Sequence, residues 1–111
     1  MMNRRELLEM HDLLSSEAKS LMATKNHDYS GGKEESRPFL NFTRVEDMGV
    51  CTTEKGLLVR MTDKMSRMST FSESGEFMVE DESLRDTVLD MINYSILLYA
   101  YTHSQRQDGK E

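Results

Sequence analysis

Glu82, Asp86, Asp90 and Asn93 follow one another at intervals of three or four residues near the end of the chain. On an α-helix turning about 100° per residue they fall within a sector roughly 80° wide. Leu84, Val88, Met91, Ile92, Ser95 and Tyr99 gather on the opposite side. Carboxylates four residues apart repel one another, at a cost of about a few tenths of a kcal/mol per pair. A hard divalent cation, Mg²⁺ (or Mn²⁺), turns that repulsion into coordination, because it takes oxygen ligands and commonly bridges carboxylates to phosphates. A solvated acidic helix face explains the same row without any ligand.

A second polar row lies upstream. Arg60, Asp63, Lys64 and Arg67 share a sector of roughly 100°, opposite Leu58, Met61, Met65 and Met68. If the two helices pack antiparallel, both rows border one cleft, where Asp63 joins the metal ligands and the cations neutralise phosphate charge. Interhelical salt bridges are the plainer account of the same residues. Lys25, Asp28 and Tyr29 stand where a first helix should end, with Lys25 suited to a phosphate and Tyr29 to stacking on a base. Gly31 and Gly32 would let that segment swing over the cleft. Equally, Lys25 can cap the helix and Tyr29 can pack on the core. His11, His27 and His103 are too scattered for a zinc site, and the lone Cys51 excludes both an intrachain disulfide and a cysteine cage.

The elements that must position these groups are helical. Leu7, His11, Leu14, Ala18, Leu21 and Met22 recur at helical spacing and predict a helix over about 4–24. From Lys25 to Pro38 the period disappears and Gly, Ser and Pro collect, which predicts a long loop of the kind that serves as a binding loop or lid. A short helix is expected from Phe39 to Met48, ending at Gly49. A third should start at a Thr52 or Thr53 cap and fade between Ser72 and Gly75. The fourth should start at Asp81 or Ser83 and reach about His103. The expected architecture is all-α: a single four-helix domain over 1–104 with a polar tail over 105–111. Tyr94 to Tyr101 is apolar on nearly every side, more than so small a chain can enclose, so a homodimer or homotetramer is expected to complete it.

Composition narrows the function classes. The 111 residues are 37% hydrophobic and 31% charged, as in a soluble globular chain. The formal net charge of −6 argues against long nucleic acid as a partner, though a local basic patch can still hold one nucleotide's phosphates. With no run of about 18 apolar residues and no signal core, the expectation is a cytoplasmic protein with no membrane partner. Ten methionines suit an adaptable helical core.

Three segments taken together carry a resemblance: Lys25-Asn26-His27-Asp28-Tyr29, Val59 to Arg67, and Glu82 to Tyr94. In this order they resemble the phage and bacterial family called nucleotide modification associated domain 1, itself similar to the MazG-like all-α nucleoside triphosphate pyrophosphatases. The resemblance implies a MazG-like helical bundle with a Mg²⁺-dependent nucleotide site. It implies metal ligands at Asp63, Glu82 and Asp86, catalytic carboxylates at Asp63, Asp86 and Asp90, and substrate contacts at Lys25, Asp28, Tyr29, Arg60, Lys64, Arg67 and Asn93. The chain departs from the glutamate-rich E-E-x-x-E pattern of MazG-like enzymes, since its third helix offers Asp63 amid cations. The expected activity is hydrolysis of a nucleoside triphosphate, a deoxynucleotide in particular, to monophosphate and pyrophosphate. A nucleotide-sequestering protein without turnover and a purely structural interaction domain are the alternatives.

Overall fold

The computed structural model describes residues 1–29, 37–75 and 83–109, with backbone alone over 26–29 and at 109. Among the described residues there are four α-helices and no strand: α1 (Arg4–Tyr29), α2 (Leu40–Asp47), α3 (Thr53–Ser74) and α4 (Leu84–Gly109). None is long and apolar enough to cross a membrane.

α1, α3 and α4 each start at a side-chain cap, while α2 starts without one. Asn3 Oδ1 accepts the Glu6 N–H at 2.9 Å while Glu6 Oε1 accepts the Asn3 N–H at 3.0 Å, so two N–H groups at the head of α1 are satisfied reciprocally. Thr52 caps α3 by accepting the Lys55 N–H at 3.1 Å. Ser83 does the same for α4, accepting the Asp86 N–H at 3.1 Å. Gly75, at φ 79°, closes α3 in the left-handed conformation that a side chain resists.

Two helices run past their expected ends. α1 continues through Lys25–Tyr29, which the loss of hydrophobic period had assigned to the loop. That segment contains no Gly or Pro, so nothing in it breaks a helix even though it has no apolar face to bury. For the same reason α4 runs on through Gly109, which makes most of the expected polar tail helical.

α3 and α4 form an antiparallel pair, with Lys64 level with Asp90 and Leu57 level with Leu97. α1 packs on α4, and α2 packs on α3. The buried apolar residues are Ala18, Phe42, Leu57, Leu89, Leu97 and Tyr101, and Met22, Phe39, Tyr94 and Leu98 close around the Phe42–Leu57–Leu97 cluster. Phe39 meets the Tyr101 ring edge-on at 5.3 Å, which anchors the entry to α2 against α4. At fully buried Thr53, both N–H and Oγ1–H donate to Glu46 Oε1, at 2.8 and 2.9 Å, so α2 supplies a carboxylate to the positive end of α3.

The two rows of α4 are divided between inside and outside. Asn93, Leu97 and Tyr101 lie within about 60° of Asp90 around the helix and face inward. Leu84 and Tyr99, from the apolar stripe, face outward with Ile96, and Tyr99 is 74% exposed. α1 adds to this openness, since residues 1–13 are exposed throughout. The molecule measures 50 × 30 × 28 Å with a radius of gyration of 16.1 Å, against about 13 Å for a compact chain of this length.

Candidate functional site

Asp90 is the centre of the inward polar row. Its Oδ2 accepts Lys64 Nζ of α3 at 3.0 Å, and its Oδ1 faces Lys25 Nζ of α1 at 3.4 Å. The Asp90 and Lys64 side chains are 18% and 14% exposed, whereas that of Lys25 is 46% exposed. One carboxylate is thus held by two cations from two other helices, and the group keeps a net positive charge. Lys64 is fixed in place, while Lys25 has room to move.

One turn along α4, buried Asn93 donates Nδ2–H to the Ala18 carbonyl at 3.0 Å. Ala18 has no bulk beyond Cβ, so α1 can approach close enough for that bond. The bond also fixes the amide's orientation and leaves Asn93 Oδ1 buried without a hydrogen-bond partner. Such an acceptor costs about 1–3 kcal/mol unless something donates to it.

Lys25, Asp90 and Asn93 line a pocket together with Met22, Phe42, Arg60, Tyr94 and Leu97. The Arg60 guanidinium sits 4.9 Å from the Phe42 ring centroid, which holds a third cation at the rim through its attraction to the π-face. The enclosed room is about 40 Å³, enough for a few waters. Lys25 and Arg60 line it, and Lys64 meets it through Asp90.

The remaining expected residues are engaged elsewhere. Asp63 is exposed and accepts Arg67 Nε at 3.1 Å, an intrahelical pair in place of an interhelical one. Asp86 Oδ2 accepts the Ser83 N–H at 3.3 Å, so this carboxylate completes the α4 cap. Glu82 lies outside the described residues, as do the side chains of Asp28 and Tyr29. Among the described residues no three His, Cys, Asp or Glu side chains stand close enough to hold a metal. Asp63 and Asp86 each have a partner of their own in this arrangement, and Asp90 faces two ammonium groups.

Sequence reasoning missed the pocket walls, Met22, Phe42 and Leu97, because their apolar spacing signals core and not cavity. It also missed the exposed ion pair between Arg85 and Glu17, which joins α4 to α1. The Glu17 hydrogen bond holds the Arg85 guanidinium above its ordinary value, but a solvated pair of this kind adds little to stability.

Residues 25–99 match the model of one protein family, described as nucleotide modification associated domain 1. Neither a curated protein nor a solved structure gives a match.

Proposed function

The chain belongs to the nucleotide modification associated domain 1 family, and on that premise we propose that it binds a nucleotide, with the phosphates held by Lys25, Lys64 and Arg60. The observation that carries this reading is the convergence of three cations from two helices, Lys25 of α1 and Arg60 and Lys64 of α3, on a pocket whose single lining acid is Asp90 of α4. Without ligand, Asp90 is the counter-charge for both lysines. An arriving phosphate competes for the same ammonium groups, so binding is an exchange of one anion for another and needs no metal. Lys25, the more exposed lysine, moves first. The unsatisfied Asn93 Oδ1 gives the pocket a buried acceptor for an N–H or O–H of the ligand.

Hydrolysis to monophosphate and pyrophosphate is the second reading, and one observation favours it. The family match extends over the whole acidic row, Asp63, Glu82, Asp86 and Asp90, as well as the cations. In that reading Asp63, Glu82 and Asp86 would hold Mg²⁺ (or Mn²⁺), which would polarise the phosphates.

Calorimetric titration of nucleoside mono-, di- and triphosphates, run in parallel with a chelator and with Mg²⁺, separates the two, provided pyrophosphate release is followed in the same samples. Binding that survives the chelator, with no pyrophosphate released, supports the first reading. Mg²⁺-dependent turnover that disappears in Asp86→Ala supports the second. If no nucleotide binds at up to about 1 mM, both fail.

A further inference from the structure

The α3–α4 pair has two sides, and among the described residues only one is covered by other helices. α1 and α2 both lie on the side of Asp90 and Leu57, where Met22 and Phe42 close the pocket. On the other side Leu58, Met65 and Tyr99 are 49 to 74% exposed. Met61 and Met91 floor an open apolar groove between the two helices there. Isolated exposed apolar residues need no explanation, but a continuous strip along two full helices does.

Charge is distributed along this strip in a way that selects its occupant. Successive turns of about 100° place Lys55 and Glu73 on the same outer line of α3, and Arg106 on the outer line of α4. Because the helices are antiparallel, Lys55 and Arg106 mark one end of the strip and Glu73 marks the other. The strip between them carries no charge at its centre. Its surface is therefore complementary to itself when turned end for end.

We propose that this face binds the same face of a second copy of the chain, about a two-fold axis lying across the helices. That operation sets Lys55 against Glu73 of the partner subunit, and does so twice by symmetry. The alternative axis, along the helices, would oppose cation to cation. Each helix contributes a strip roughly 33 Å long and about 10 Å wide, so each copy covers roughly 650 Å². A standard stable interface takes about 800 Å² from each partner, and methionine side chains adapt well to such contacts. The result is a four-helix layer, α3 and α4 with their two symmetry mates, in which the outward stripe of α4 becomes core. The pairing requires no nucleotide.

Sedimentation equilibrium of the full chain from about 1 to 100 μM tests the proposal. The expected mass is twice the 12.9 kDa of one chain. Met65→Glu and Tyr99→Glu each put two charges into the contact and should weaken it by about 100-fold or more, with helical circular dichroism unchanged because both side chains are already exposed. Lys55→Glu and Glu73→Lys should each weaken the dimer several-fold, and the double exchange should restore it. A monomer at 100 μM overturns the proposal, as does a dimer indifferent to both face variants. A dimer lost in Leu8→Glu but intact in Met65→Glu would mean that the projecting start of α1 is the contact instead, which also overturns it.

Discussion

Asp90→Asn distinguishes anion exchange from metal-assisted hydrolysis, because the two mechanisms predict opposite signs. The substitution keeps the shape of the side chain and removes its charge, so that Lys64 and Lys25, now 3.0 and 3.4 Å from two carboxylate oxygens, share one neutral amide oxygen and one lysine faces an NH2 group. Lys64, at 14% exposed, loses a largely buried partner, while half-exposed Lys25 can turn to water. A fully buried broken pair costs about 3–5 kcal/mol and an exposed one about 0–1, so roughly 2 kcal/mol is expected here. For a domain of this size that lowers Tm by about 8 °C. Affinity moves the other way. Removing one negative charge about 6 Å from a doubly charged phosphate relieves roughly 1.4 kcal/mol even at the dielectric of water, a factor of about ten in Kd. The gain should grow at low salt, since the site is partly open. Thermal unfolding by circular dichroism and calorimetric titration of a nucleoside triphosphate in chelator measure both effects. A Tm that does not fall, or an affinity that drops tenfold, refutes the exchange argument. In a metal-dependent hydrolase Asp90→Asn would lose turnover and gain nothing.

Other substitutions test the frame that holds the site. Glu46→Ala removes the acceptor shared by the buried Thr53 N–H and hydroxyl, and should cost about 2 kcal/mol in urea unfolding. Gly75→Ala forces a side chain into the left-handed cap of α3 and should cost about 1 kcal/mol, although nothing lies within 4 Å to clash with it. Leu57→Ala empties a position only 1% exposed between α3 and α4 and should cost about 2–5 kcal/mol, the largest single loss of the three.

What the sequence revealed followed from local rules. Thr52 at the head of α3, Ser83 at the head of α4, Gly49 and Gly75 at helix ends are signals that depend on a few neighbouring residues, and each stands where those rules put it. The end of α1 was not legible, because helical spacing was sought through apolar residues and Lys25–Tyr29 continues the helix without them. Lys25, Arg60, Lys64, Asp90 and Asn93 do meet around one site, so residue type and spacing located most of it. Asp63 and Asp86 do not join them, since each finds a closer partner on or beside its own helix turn. Sequence periodicity has no means of choosing between an interhelical ligand and a local cap. Nor can it decide which side of α4 faces in. Opposite polar and apolar stripes define two faces, and the usual assumption assigns the apolar one to the core. Here Asp90 and Asn93 of the polar row are enclosed, and Leu84 and Tyr99 of the apolar stripe are left exposed.

That enclosure has an energetic consequence that can be tested directly. Enclosed ions lose hydration, and their mutual attraction repays this incompletely, so replacing a buried pair by apolar residues of similar volume is often neutral or stabilising by about 1–4 kcal/mol. Lys64→Met with Asp90→Leu makes this exchange in the most enclosed pair of the site, where the two side chains are 14% and 18% exposed. Lys25, nearly half exposed, can release its end of the contact to solvent without leaving a buried charge behind. The double variant should therefore unfold at the same urea concentration as the parent or a higher one, while each single variant unfolds earlier. Nucleotide affinity should lie about tenfold or more below that of Asp90→Asn, because one of the three cations is gone and the pocket floor is apolar. Such a pattern means that the Asp90 pair costs stability and serves a ligand. A double variant less stable than either single variant would mean that the charges hold α1 and α3 to α4, and that the polar row is architecture alone.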